Sequence, residues 1–343
     1  MKTINLSNQH DSMDISRYVM GAGFFDTRIS LPESVRIMDY YYEKGGRCFD
    51  TGRYYGMFDT GESRSEKVLG MWLRDTKIRN QLVISTKGGH PHVDTTKIGN
   101  PRGYKKKRSR FTREELYKDI EGSLEDLGVD MIDIYFLHRD EPDVPVEDIM
   151  PVLNEFVRSG AVRFIGASNW ATERIAAANK FSVENGMATF SAGQLLWSLA
   201  LNTPENVFDE TAAYLNSDSK DYNWYKEEDM PIFAYSSQAG GLFSRALADP
   251  DDPEKGIKGL RDIRVSLLDE PENLRRIQRV GELCKKTGLT PAEVCTSYIL
   301  SKDVRAAAML GCRTLAQLKE SLGHIDFELD EDTVKWLEGG EGA

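Results

Sequence analysis

Four ionisable side chains close, or lie just beyond, short apolar runs: Asp50 in Phe49-Asp50-Thr51, Tyr55 a few residues later, Lys87 in Ser85-Thr86-Lys87-Gly88, and His138 in Tyr135-Phe136-Leu137-His138. A carboxylate, a phenol, an ammonium and an imidazole make an acid–base set if the runs that carry them are neighbouring strands. The lysine and the carboxylate need each other, because a buried charge without a partner is costly.

The elements that must position them follow from periodicity and stop signals. Strands are predicted at 18–22, 47–50, 82–86, 131–137, 162–166, 192–195, 231–235 and 306–310. Helices fall between them. One opens near Pro32. Another runs over 63–74, with Ser63 as cap and Glu66 completing a capping box. A third is capped by Thr112 and ends near Leu127-Gly128, a fourth spans 146–159 and stops at Gly160, and a fifth starts at about Thr172. Eight strands alternating with helices predict a closed α/β architecture, a (β/α)8 TIM barrel, as one domain over 1–343. Long loops near 202–230 and 240–271 follow strands and are expected on the C-terminal face, where barrel active sites are built.

Bulk properties agree with that reading. The length of 343 residues suits a barrel that carries insertions beyond the usual ~250. With 55 acidic against 44 basic residues, the mean field repels phosphates and argues against nucleic acid as a partner. Cys48, Cys284, Cys295 and Cys312 have neither zinc-finger nor redox-motif spacing, which fits a reducing compartment. The polar N-terminus and the lack of an apolar run near ~20 residues make a cytoplasmic protein without membrane attachment the expectation.

The constellation, in this order, resembles the aldo-keto reductase superfamily over most of the chain. The resemblance rests on Phe49-Asp50-Thr51 with Tyr55-Gly56, on Ser65-Glu66-Lys67-Val68-Leu69-Gly70, on Thr86-Lys87, on the run from Asp133 to His138, and on Gly166-Ala167-Ser168-Asn169. It implies an oxidoreductase that moves hydride between a nicotinamide cofactor and a small carbonyl or alcohol. It also implies roles that elementary chemistry supports. A phenol has an unperturbed pKa of ~10 and is a poor acid near neutrality, and a neighbouring ammonium favours the phenolate. Tyr55 is thus expected to donate the proton in reduction and accept it in oxidation. Lys87 would tune it, Asp50 would hold Lys87 charged and aimed, and His138 would hydrogen-bond the substrate oxygen. The distance past Asp50 and the following Gly56 select Tyr55 over Tyr54.

No Gly-x-Gly-x-x-Gly fingerprint opens a first βα turn, which weakens a Rossmann reading and leaves this one intact. The resemblance implies that Ser168, Asn169 and Gln194 hydrogen-bond the nicotinamide amide and that Tyr235 stacks on its ring. Ser236, Gln238, Gly240 and Leu242 would wrap the pyrophosphate through backbone N–H groups. Gly311 and Arg313 would meet the far end of the cofactor, with Arg313 suited to a 2′-phosphate, and Gln317 and Ser321 would approach the adenine. NADP(H) is therefore expected, with NAD(H) the alternative. Leu310 and Ser321 depart from the proline and asparagine often found at those places in the family.

Other features carry competing readings. Phe25 and Trp170 are expected to line the substrate pocket, whereas Trp197 could equally be core. The basic run 105–110 could reach an anion at the barrel mouth, but a solvated loop is the plainer account. His90 and His92 form a His-x-His pair with only Asp94 nearby, too little for a metal site. Tyr222, Trp224 and Tyr225 among acidic residues suggest a lid over the site, tilting specificity towards sugars or other polyols. The fold also serves as a cofactor-binding regulatory subunit with little turnover, and Lys87 could in principle form a Schiff base in a barrel aldolase or hydrolase.

Overall fold

Alternating inward and outward side chains on short strands build the centre of the molecule. The computed structural model describes residues 1–93, 106–108, 110–207, 211–249, 253–256 and 266–340. Its strands are β1 (Thr3–Ser7), β2 (Ser12–Ser16), β3 (Tyr18–Gly21), β4 (Cys48–Asp50), β5 (Val83–Gly88), β6 (His92–Val93), β7 (Lys106–Arg108), β8 (Ile132–Leu137), β9 (Val162–Ser168), β10 (Phe190–Leu196), β11 (Ile232–Tyr235) and β12 (Ala306–Leu310). Eight of them, in the order β10-β11-β12-β3-β4-β5-β8-β9, close a parallel barrel, with helices in the connections. The (β/α)8 architecture expected from the sequence is thus present, and each barrel strand lies within a residue or two of its expected bounds.

The barrel interior is apolar at its lower end and charged at its upper end. Val19, Cys48, Val83, Ile134, Phe136, Phe164, Ala192, Phe233, Ala307 and Met309 form one buried cluster, and Leu6, Met13 and Ile15 of the β1–β2 hairpin plug it from below. That hairpin was not anticipated. Outward residues of the same strands, such as Phe49, Ile84, Tyr135 and Ile165, join the larger cluster under the helices. On β4 and β5 the next inward positions above Cys48 and Val83 are Asp50, Ser85 and Lys87, so period two carries the polar layer directly onto the apolar one.

Two local expectations change. Ser63 and Glu66 do not form a capping box: the Ser63 hydroxyl donates to the Glu66 carboxylate (2.9 Å), and its side chain does not cap the helix Arg64–Thr76. Glu66 turns inward, where it accepts from Thr86 (2.5 Å) and Arg53 (3.2 Å). Within the segment 202–230 the residues that suggested a lid, Tyr222, Trp224 and Tyr225, belong instead to the helix Lys220–Glu227 that connects β10 to β11. Tyr222 and Tyr225 are its buried face. Tyr222 packs edge-on to Trp197 (5.9 Å) and its hydroxyl bonds Asp303, while Tyr225 lies so close to Gly193 that an added Cβ would stand 2.1 Å from its hydroxyl. Trp197 is core. No described helix is long and apolar enough to cross a membrane.

Candidate active site

Barrel register sets the polar layer. Asp50 is paired in register with Ser85 across β4 and β5, and Lys87 with Phe136 across β5 and β8. The Lys87 ammonium donates to Asp50 Oδ2 (2.5 Å) and to the Thr51 carbonyl (2.6 Å). Asp50 Oδ1 accepts from the Ser85 hydroxyl (2.7 Å) and from Gln194 Nε2 (3.0 Å). Every oxygen of the buried carboxylate is therefore engaged by a donor. Burial pushes the Lys87 ammonium down, but Asp50, and after it Tyr55, outweigh burial and hold it above the ordinary lysine value.

Tyr55 sits beside this pair. The Lys87 Nζ lies over its ring, 4.7 Å from the centroid, and His138 meets it edge-on with centroids 5.4 Å apart. The ring also rests against backbone that has no side chain: a Cβ on Gly52 would come within 3.2 Å of it and one on Gly23 within 3.4 Å. Tyr55 is partly exposed whereas Tyr54 is buried. The loop that carries Tyr55 is tied down by the following helix, since Ser65 bonds both the Thr51 hydroxyl (2.6 Å) and the Ala22 carbonyl (2.8 Å). The Ser65-Glu66 pair thus anchors the Tyr55 loop and the strand that carries Lys87.

His138 follows β8 directly, and its N–H donates to the Gly88 carbonyl (2.9 Å). Burial, then His90, Arg139 and Lys87, hold its imidazole well below the ordinary histidine range, so it is neutral. Its Nδ1 is buried without a hydrogen-bond partner among the described residues. The His90 ring stands edge-on to it at 4.7 Å and is itself stacked on Tyr54 at 4.7 Å. The His-x-His pair is thus split by function: His90 packs against His138, while the His92 side chain and Asp94 lie outside the described residues. Sequence spacing gave no sign of this contact, nor of the glycine pads beneath Tyr55.

Ser168, Asn169 and Gln194 extend the same network. Ser168 Oγ donates to Gln194 Oε1 (3.4 Å), Asn169 Nδ2 donates to Ser168 Oγ (2.9 Å) and to the His138 carbonyl (3.2 Å), and the Tyr235 hydroxyl donates to Asn169 Oδ1 (2.7 Å). Asn169 has φ +61°, an uncommon conformation for a non-glycine residue. After β11 the positive φ values of Ser236 (+55°), Ala239 (+50°), Gly240 (+64°) and Gly241 (+85°) curl the loop into a backbone concavity. Gln238 Nε2 donates to Ser321 Oγ (2.8 Å), which links that loop to the helix Leu315–Ser321. Gln317 Oε1 accepts from the Arg313 N–H (2.8 Å), and both residues are exposed. The Leu242 side chain is core, so only its main chain faces the loop.

Three expectations fail on burial. Phe25 is 0% exposed and Trp170 is 1% exposed, so neither ring has surface to offer a substrate. Trp170 instead stacks on Phe111 (6.1 Å) and donates to the Arg139 carbonyl (3.2 Å). Both rings lie in loops, where period-two direction no longer applies. Arg110, the last residue of the basic run, is also buried, paired with Asp119 (2.5 Å) and Glu115 (3.0 Å). Lys106–Arg108 form a strand that pairs with His92–Val93, and Lys105 and Ser109 lie outside the described residues.

Residues 19–339 match the model of the aldo/keto reductase family. The chain belongs to that family. Among its relatives, it is 26% identical over 325 residues to the uncharacterized oxidoreductase YrpG of Bacillus subtilis (strain 168), covering 94% of this chain and 91% of the relative. It is 24% identical over 311 residues to the probable aryl-alcohol dehydrogenase AAD4 of Saccharomyces cerevisiae (89% and 87% covered). It is 23% identical over 303 residues to the NADP(+)-designated aldo-keto reductase yakc of Schizosaccharomyces pombe (87% and 79% covered). This aldo-keto reductase is an NAD(P)H-dependent oxidoreductase acting on a small molecule.

The residues present fit a nicotinamide dinucleotide. Open space stands above the backbone at both ends of the concave wall, since a Cβ on Gly241 or on Gly311 would meet nothing within 4 Å. Strained, non-glycine backbone at Asn169, Ser236 and Ala239 lines the same side of the mouth, as expected where a ligand dictates geometry.

Proposed function

We propose that this aldo-keto reductase reduces a small aldehyde or ketone with NADPH, and runs the reverse oxidation, with Tyr55 as general acid and base. The observation that carries the reading is the buried Lys87–Asp50 pair with its ammonium over the Tyr55 ring and a neutral His138 at the ring's edge. The bound cofactor supplies or accepts the hydride at carbon. Tyr55 delivers the proton to the carbonyl oxygen, and the ammonium beneath it offsets the charge left on the phenol. A neutral imidazole can donate one N–H to that oxygen without adding a second positive charge beside Lys87. Asp50, Ser85 and Gln194 hold the ammonium in place.

Ser168, Asn169 and Gln194 would hold the nicotinamide amide, Tyr235 would stack on the ring, and the 236–242 loop would take the pyrophosphate. Gly311, Arg313, Gln317 and Ser321 would receive the adenosine end. An exposed Arg313, and a relative designated NADP(+), favour the phosphorylated cofactor. Relatives named aryl-alcohol dehydrogenases make aromatic aldehydes the first substrates to try. Sugars rank after them, because Tyr222 and Tyr225, two of the three aromatics that suggested polyol binding, are buried.

The test is fluorescence titration with NADPH and NADH, followed by turnover on aromatic aldehydes, aliphatic ketones and oxidised sugars. Tyr55→Phe should keep cofactor affinity and lose about 10²–10⁴-fold in kcat. Turnover that survives the substitution overturns the role of Tyr55. Tight binding with no turnover on any substrate moves the protein to the regulatory reading.

A further inference from the structure

Arg28 and Arg313 share one aromatic ring. The Arg28 guanidinium carbon lies 4.9 Å from the centroid of Phe24, and that of Arg313 lies 5.8 Å from it. Arg28 belongs to the loop after β3 and Arg313 to the turn after β12. These strands are neighbours, with Met20 in register with Leu310, so their loops leave the barrel side by side on its C-terminal face. Glu33 ties the two segments together by accepting from the Leu315 N–H (2.6 Å).

The pairing is unusual for its charge. Both guanidiniums are exposed, and neither has a carboxylate partner among the described residues, in a chain of net charge −11. The acids of the same loop and helix are committed elsewhere: Asp26 pairs with Arg64 (3.1 Å), and Glu33 pairs with Arg36 besides holding Leu315. An exposed guanidinium gains little from lying over a half-buried phenyl ring, and two like charges brought to one ring repel. A dianion at the ring's edge would remove that repulsion and be held from both sides by planar donors that suit phosphate.

We propose that Arg28 is a second cofactor-specificity residue, which grips the 2′-phosphate of NADPH together with Arg313 across Phe24. The inference rests on the reading that Arg313 faces that phosphate. The open space over Gly311 leaves room for the ribose end beside the two arginines.

Equilibrium titration of cofactor fluorescence tests this without turnover, using NADPH and NADH against the native protein, Arg28→Ala, Arg313→Ala and Arg28→Lys. Arg28→Ala should weaken NADPH by about tenfold, the scale of one charge-assisted hydrogen bond at a solvent-facing site, and leave NADH within about twofold. Arg28→Lys should recover part of the loss. Competition by 2′,5′-ADP should fall with NADPH affinity, while competition by 5′-ADP should not. Equal weakening of NADPH and NADH assigns Arg28 to the pyrophosphate and overturns the proposal, as does unchanged NADPH binding. If Arg28→Ala discriminates and Arg313→Ala does not, the underlying reading of Arg313 fails while the role of Arg28 stands.

Discussion

Removing either member of the Asp50–Lys87 pair should destabilise the protein far more than removing both. The two side chains are 2% and 1% exposed, so water cannot replace a lost partner. Lys87→Met keeps a straight side chain but leaves the carboxylate with the neutral donors Ser85 and Gln194. Asp50→Asn leaves the ammonium with the Thr51 carbonyl as its main acceptor. Breaking a buried pair on one side costs about 3–5 kcal/mol. The double variant strands no charge and should cost less than either single change, giving a coupling of at least about 3 kcal/mol against less than ~1 for an exposed pair. Because the folded value of Lys87 is raised, the pair's contribution is present across the neutral range and is lost only as pH rises past the ordinary lysine value of ~10.4. Urea unfolding of the four proteins, followed by far-UV circular dichroism and by tryptophan fluorescence, measures the cycle where the two probes coincide. Turnover should be lost in both single variants and stay lost in the double. Additive single effects below ~1 kcal/mol would refute the buried-pair argument, and activity in the double variant would refute the role of Lys87.

Two further outcomes follow from the same geometry. His138 is neutral when folded because burial, and after it the neighbouring cations and His90, lower its value, whereas the unfolded chain takes up its proton below ~6.5. Stability should therefore fall as pH drops through ~6.5, by up to about 1.4 kcal/mol per unit from this group, and His138→Gln should flatten the slope between pH 6.5 and 5 in thermal melts. An unchanged slope would mean that His138 titrates normally in the folded protein. Gly52→Ala places a methyl 3.2 Å from the Tyr55 ring and should lower kcat by about tenfold through misplacement of the phenol, with little change in KM for cofactor or in Tm. Full activity in that variant would show that the ring position is not set by the backbone beneath it.

What could be read in the sequence was whatever strand periodicity dictates. The bounds of β12 and of the helix Val146–Ser159 match expectation because a strand of small apolar residues and a helix closed by Gly160 leave no competing solution. The β1–β2 hairpin was missed although Ile4 and Leu6, then Met13 and Ile15, alternate with polar neighbours. Its apolar positions are too few to stand out until the open bottom of the barrel is there to receive them. The helix Lys220–Glu227 was hidden for a related reason, since its buried face is two tyrosines within an otherwise charged segment. Phe25 and Trp170 were misjudged because loop side chains have no inherited direction.

Asp50 and Lys87 differ from these in being bound to the barrel's own arithmetic. Cys48 and Asp50, Val83 and Ser85 and Lys87, and Ile134 and Phe136 each share the inward face of one strand, so the residues that fill the core also aim the charges above it. A slip of β5 by one residue would turn Thr86 inward and send Lys87 among the helices, exposing a cation to the layer that now holds Ile84. The apolar plug below, from Val83 to Phe233, opposes that slip with every side chain it buries. The same packing that makes the barrel stable therefore makes the position of Lys87 under Tyr55 hard to lose. The loops at the mouth, such as 22–30 and 236–242, are held by no such register and are left free to vary.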